Sequence, residues 1–304
     1  MTDHPVPAEI EIIYKRGQFF PVGFLAREEM RVYLRDRRLH VQVRKPWKNR
    51  HECSSFMIAA AFARLGVRDS RVFYVQTGDR PLTRLGYTKL AVRFANCSTP
   101  ASSDIAAPDF TFVNWVDAHV DDFDAEAKRI AEAGRSAPRH DKVYWAGRLF
   151  NEPRRKLVEI GRARPDLFET IDTEQFYDST HQAYLGRFVP MYEQVRDYRY
   201  LIDIEGAGYS GRLKYLLHSG RLLFLQDYAW REWYRGMLEP WVHYVPLAAD
   251  LHDLVERVEQ VRADPRMEAR IAANAQAFAR QHLTRDAAIG EWARLLTAHK
   301  LVRR

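Results

Sequence analysis

A chain of 304 residues with 46% apolar, 12% aromatic and 29% charged residues has the composition of a folded protein of about two domains, which excludes a disordered or collagen-like chain. Lys and Arg number 47 against 40 Asp and Glu, a net charge of +7 that favours an anionic partner: a nucleotide, a nucleic acid or an acidic membrane. With Cys53 and Cys97 as the only cysteines, a disulfide framework and a cysteine-based zinc site are excluded, and no run approaches the roughly 18–20 apolar residues of a membrane span.

The first twenty residues, MTDHPVPAEIEIIYKRGQFF, lack the basic-then-apolar order of a secretory signal, so a cytoplasmic protein is expected. Strand-like and helical patterns then alternate. In chain order they are strand 39–43, helix 52–65, strands 71–76 and 89–94, helix 122–133, strand 142–145, helix 153–164, strand 200–204, helix 210–219, strands 222–225 and 242–245, and helix 250–262. From 265 to 304 the pattern is helical only. Such alternation predicts an α/β protein of two Rossmann-type, doubly wound domains with parallel sheets covered on both faces. The run Gly-Arg-Ser-Ala-Pro-Arg-His-Asp at 134–141 breaks a helix and places a boundary there: an N-terminal domain 1–138, a C-terminal domain 139–284, and a last helix, 285–304, crossing back to the first.

Ligands of open α/β sheets sit outside the carboxyl ends of the strands, which points to the loops 76–82, 147–155, 205–212 and 226–232. In YLIDIEGAGYSGRLK a strand runs into a turn holding Gly206, Gly208, Tyr209, Ser210 and Gly211, and a helix is expected from Ser210 with Arg212 and Lys214 in its first turn. Cations there oppose the helix dipole unless an anion binds, so a phosphate site is the favoured reading. The competing reading is a glycine turn with two solvated cations.

In KVYWAGRLFNEPRR, Gly147 and Arg148 follow a strand, and Pro153 starts a helix carrying Arg154 and Arg155. Arginine's planar fork suits diphosphate oxygens, and this loop should face the 206–212 loop across one sheet edge. Asp79 follows the strand 71–76, where a carboxylate is placed to take a proton from a hydroxyl, although Asp with Pro two residues on is also an ordinary turn.

Three patterns point elsewhere. Gly206, Gly208 and Gly211 spell G-x-G-x-x-G with Asp227 near the ribose position, so an NAD(P)-dependent oxidoreductase is carried as a rival. Asp122 and Asp124 form D-x-D, read as helix capping in preference to a metal site. The Gly208–Gly211 turn lacks the second glycine spacing of a nucleophile elbow. The histidines show no metal spacing, and the tryptophans suit core and cleft walls better than stacking on bases, so neither a metal nor a nucleic-acid partner is expected.

Residues 200–224 together with E-W-Y-x-x-x-L-E-P-W-V-H-Y-V-P-L-x-x-D-L at 232–251 resemble the CAP10-like glycosyltransferases, glycosyltransferase family 90, which include protein O-glucosyltransferases and bacterial lipopolysaccharide-modifying enzymes. The resemblance implies a two-domain GT-B architecture with a central cleft, and transfer of a sugar from a UDP-sugar with inversion and without a metal or other cofactor. It implies Asp79 as the base, Arg154 and Arg212 as diphosphate ligands and 206–211 as the donor turn. Glu232 is a candidate for a sugar or ribose hydroxyl. Many relatives carry Arg at the position of Ala146, which leaves Arg148 as the residue of that loop able to replace it. A glycan or lipid-linked glycan acceptor, lipopolysaccharide or capsule, follows from the bacterial type, with peripheral association at the inner membrane through the cations of 35–50. A degenerate, binding-only protein is the second rival.

Overall fold

The computed structural model describes residues 10–16, 28–43, 45–82, 91–174, 177–178, 183–184 and 189–303. The strands are β1 (Glu11–Arg16), β2 (Glu29–Arg35), β3 (Arg38–Val43), β4 (Asp69–Ser70), β5 (Phe73–Gln76), β6 (Arg93–Ala95), β7 (Ile105–Ala106), β8 (His140–Gly147), β9 (Phe168–Asp172), β10 (Tyr177–Asp178), β11 (Ala183–Tyr184), β12 (Tyr198–Asp203), β13 (Leu222–Gln226), β14 (Val245–Leu247) and β15 (Val302–Arg303). The α-helices are α1 (Arg50–Leu65), α2 (Phe123–Ala133), α3 (Glu152–Ala163), α4 (Met191–Asp197), α5 (Leu213–Leu217), α6 (Leu254–Arg262), α7 (Pro265–His282) and α8 (Arg285–Ala298). They form two units: Met1–Val116 with Trp230–Trp233 and Thr284–Arg304, and Asp117–Ala229 with Tyr234–Leu283.

In the first unit six strands run in the order β1-β3-β2-β5-β6-β7. The expectation of a parallel, doubly wound sheet holds here only for β1 with β3 and for β5, β6 and β7, because β2 lies antiparallel to both β3 and β5. A two-residue hairpin turn is the cause: Asp36 and Arg37 both take left-handed backbone, φ 48° and 61°, whose twist suits a tight hairpin. Alternation then sends Met30, Val32 and Leu34 of β2 and Leu39, Val41 and Val43 of β3 into the core. α8 packs on α1, and its Trp292 meets Phe94 edge-on at 5.2 Å while its indole N–H donates to the Pro108 carbonyl at 3.2 Å. The tail is not purely helical, since β15 pairs antiparallel with β4. Of the expected strand 89–94, Lys89 and Leu90 lie outside the described residues, and the strand seen is β6.

The second unit holds a parallel sheet of five strands in the order β14-β13-β12-β8-β9. Every residue of β13, Leu-Leu-Phe-Leu-Gln, is buried, as a strand covered on both faces requires. Val143, Trp145, Tyr200, Ile202, Phe224 and Val245 pack with Leu157 and Val158 of α3, Leu254 and Val258 of α6 and Ile271 of α7. Numbered from β8 the spatial order is 2-1-3-4-5, so the winding reverses between β8 and β12, and the crevice at their carboxyl ends is where such a sheet takes a ligand.

Two expected elements differ. The helix expected over 210–219 is only α5, five residues long. The strand expected over 242–245 is displaced to β14, because Trp241 takes φ 63° and its N–H turns back to the Tyr244 carbonyl at 2.8 Å. As expected, Asp122 caps α2, accepting from the Ala125 N–H at 2.9 Å, and Asp124 follows in its first turn. Among the described residues, no group of three or more His, Cys, Asp or Glu could hold a metal ion, and no helix is long and apolar enough to cross a membrane.

Candidate functional site

Two loops meet where β8 and β12 end. Asn151 caps α3, accepting from the Arg154 N–H at 3.2 Å, and its amide donates to the carbonyls of Glu205 and Gly206 at 3.3 and 3.0 Å. This single side chain ties the loop after β8 to the turn after β12. Arg154 reinforces the tie: its Nε donates to the Glu205 carbonyl and its Nη1 to the Arg148 carbonyl, both at 3.0 Å. Arg212 reaches the other way, donating from Nη1 to the Ala146 carbonyl at 2.8 Å.

Both guanidinium groups lie over the indole of Trp145, 5.6 Å for Arg154 and 5.8 Å for Arg212, and Arg154 also lies 4.2 Å from the Phe150 ring. Buried Nη2 of Arg212 has no hydrogen-bond partner among the described residues. Two forked cations held by backbone carbonyls on one aromatic plate can bind an oxyanion, because the carbonyls orient them without cancelling their charge.

The glycine turn works by close approach. Neither Gly206, Gly208 nor Gly211 has a positive φ; instead the Gly206 N–H donates to the Gly208 carbonyl at 3.0 Å, and a Cβ on Gly206 would sit 2.7 Å from the Tyr209 oxygen. At Gly147 a Cβ would fall 2.6 Å from the Trp145 ring. Ser210 does not present its hydroxyl at a helix start: it donates to the Asp203 carboxylate at 2.7 Å. Asp203, at the end of β12, is wholly buried, and burial pushes its carboxyl upward while Arg212 and Ser210 act in the opposite sense.

Lys214, the second residue of α5, is fully buried, its ammonium donates to the Gly211 carbonyl at 3.1 Å, and it sits near the Tyr209 and Tyr215 rings. Its methylenes fill space under a helix too short to carry a solvated face. Arg148 engages Glu174 through two contacts of 2.7 and 2.9 Å, which holds the Glu174 carboxyl below its ordinary range. Its carbonyl, by contrast, serves Arg154. Asp227, exposed, follows β13 on the same sheet edge, where its N–H donates to the Leu247 carbonyl at 3.0 Å. Glu232 is buried and belongs to the first unit, on a segment joined to it by the Ser98–Arg231 bridge, not on a helix.

In the first unit Asp79 stands past the end of β5. Arg50 pairs with its carboxylate at 2.9 Å, also donates to the Thr77 carbonyl at 3.2 Å, and stacks 4.6 Å from the Phe110 ring. Asn96 donates to the carbonyls of Thr77 and Gly78 at 3.1 and 3.0 Å, and a Cβ on Gly78 would overlap the Glu28 carboxylate. The loop is therefore built to hold one carboxylate in one place. Asn151, Trp145, Asp203 and Arg50 were absent from the sequence-based site. Asn151 alone carried a local signal, a cap residue two positions before a helix-starting proline.

Several known proteins are similar to this chain. Protein O-glucosyltransferase 2 of Danio rerio is 28% identical over 221 residues, 70% of this chain and 44% of that protein. Protein O-glucosyltransferase 3 of Homo sapiens is 26% identical over 225 residues, 69% of this chain and 43% of that protein. The chain thus spans less than half the length of these two relatives. A crystal structure of Anabaena Alr3699/HepE in complex with UDP-glucose aligns with a TM-score of 0.35 at 14% identity, over 56% of this chain and 44% of that one. Because the match to Glycosyl transferase family 90 runs from residue 26 to residue 303, through both units, the chain belongs to that family.

Proposed function

We propose that this chain is a glycosyltransferase that moves a sugar from a UDP-sugar to a hydroxyl of a glycan or lipid-linked glycan, in lipopolysaccharide or capsule assembly, with inversion and without a metal. The observation that carries the reading is the pair Arg154 and Arg212 at the reversal between β8 and β12, over Trp145. A UDP leaving group develops negative charge as the glycosidic bond breaks, and fixed guanidinium groups stabilise it without reorganising. Asp79 takes the proton of the acceptor hydroxyl as that oxygen attacks the anomeric carbon opposite the departing diphosphate. Family membership and the relatives named protein O-glucosyltransferases support sugar transfer. A GT-B-like architecture of two domains belongs to the same proposal.

Placement in the cytoplasm at the inner membrane face is part of it too. Within 35–50, Arg50 is engaged by Asp79 and Arg38 by Glu11, and Arg44 lies outside the described residues, so Lys45, Arg35 and Arg37 are the cations assigned to lipid. The oxidoreductase reading is not favoured, because α5 spans only five residues and begins at Leu213, so no long helix follows the glycine turn to face a dinucleotide. The test is a thermal-shift panel of UDP-sugars against NAD and NADP, followed by donor hydrolysis and transfer in excess chelator. Stabilisation by UDP-sugars and chelator-resistant turnover are expected. Stabilisation by NAD alone, or activity that returns only with manganese, would reject the reading.

A further inference from the structure

At the end of β12 a carboxylate sits beneath the arginine pair. Asp203 has no exposed surface, one oxygen accepts the Ser210 hydroxyl at 2.7 Å, and the other is buried without a hydrogen-bond partner among the described residues. The Arg212 Nε lies 3.9 Å from the oxygen that accepts from Ser210, too long for a hydrogen bond and close enough for a strong charge interaction. Arg235 and Arg154 act on the same carboxyl through their charge. Arg235 is itself buried, donating to the Gln226 carbonyl at 3.2 Å between the rings of Tyr228 and Tyr244 at 5.0 and 5.5 Å. Three guanidinium groups therefore act on one acid through their charge, and none makes a forked contact with it.

A carboxylate meant to hold an arginine makes a forked contact with it, as Glu174 does with Arg148. Asp203 instead accepts its one hydrogen bond from Ser210, and Arg212 and Arg154 donate to backbone carbonyls. Its remaining effect on them is electrostatic. It cancels part of a concentrated positive field in a place where water cannot.

We infer that Asp203 is a positioning residue of the donor pocket that acts as its internal counter-charge, lowering affinity for a nucleoside diphosphate so that the product can leave. This rests on the donor-site reading of Arg154 and Arg212. Without the carboxylate the pocket gains one net positive charge. At an effective dielectric of about 20, a unit charge acting over roughly 10 Å changes an anion's affinity by about tenfold.

The test is UDP binding by titration calorimetry to the wild-type chain and to Asp203→Asn, an isostere that keeps an acceptor for Ser210. UDP should bind Asp203→Asn about tenfold more tightly, with a steeper loss of affinity on adding salt. A packing defect would loosen binding, so unchanged or weaker affinity in the folded variant overturns the inference. Should Asp203→Asn fail to fold, Ser210→Ala removes the hydrogen bond that favours the ionised carboxyl, and UDP should then bind more tightly; equal or weaker binding would overturn it. Arg212→Ala, measured in parallel, separates the two ideas. If it leaves UDP affinity unchanged the donor-site reading falls, and if it weakens UDP while Asp203→Asn does not tighten it, only the counter-charge idea falls.

Discussion

Arg154→Ala tests the donor pocket at its most connected point. Arg154 is only 9% exposed, and its guanidinium holds two backbone carbonyls at 3.0 Å on the two loops that make the crevice. Truncation leaves both carbonyls to part-buried surroundings, and at about 1 kcal/mol each the cost is roughly 2 kcal/mol, or a fall of about 4–8 °C in melting temperature for a unit of this size. The loss for UDP is separate. One charge-assisted contact to a diphosphate contributes about 1.5–3 kcal/mol, a weakening of about 10- to 150-fold.

Arg154→Lys keeps the charge but cannot span both carbonyls, so it should lie between wild type and Arg154→Ala in both measurements. UDP titration calorimetry and thermal melts of the three proteins provide the comparison, with Arg294→Ala as a control, an arginine 63% exposed that pairs with Glu291 one turn away on α8. A folded Arg154→Ala chain that binds UDP as wild type does, or a control that weakens UDP equally, would refute the pocket.

Asp79→Asn should abolish transfer while UDP affinity stays within about twofold, and Arg50→Met should lower turnover in the same assay by freeing the carboxylate from its pair; equal loss of UDP binding would make Asp79 structural. Gly134→Ala should destabilise the second unit by about 3 kcal/mol in urea unfolding, because its Cβ would overlap the Ser219 carbonyl, a backbone atom with little room to move. His218 is buried, its ring nitrogen donates to the Leu283 carbonyl at 2.9 Å, and burial holds its pKa below 6.5. The unfolded chain takes a proton near pH 6.5 that the folded chain refuses, so this stability is intact above that pH and lost as pH falls below it. Melting temperature should decline from pH 7 to pH 5, and His218→Gln should flatten the decline; an unchanged slope would exclude His218 as its source.

The crevice was legible early because its elements are local. Gly147 with Arg154, and Gly206 with Arg212, each lie within a dozen residues of a strand end, and burial marked those strands, β13 most plainly with five consecutive buried residues. Capping was legible for the same reason: Asp122 and the α2 N-terminus are neighbours in sequence. The hairpin of β2 and β3 was not, because Asp-Arg is an uncommon pair for two left-handed residues and nothing nearby announces the turn.

Tertiary structure alone decided which way the polar side chains turned. Lys214 reads in the sequence as a helix-start cation for a phosphate, and the fold buries it in a five-residue helix near two tyrosines. The Ser210 hydroxyl is taken by the Asp203 carboxylate, seven residues away. Pairing of Asp79 with Arg50 spans 29 residues, and Asn151 reaches carbonyls 54 and 55 residues distant. Periodicity and turn chemistry are set by nearest neighbours, so composition and pattern reveal them. A buried polar group takes whichever partner the folded chain brings within about 3 Å, and that choice is made only when the sheet closes.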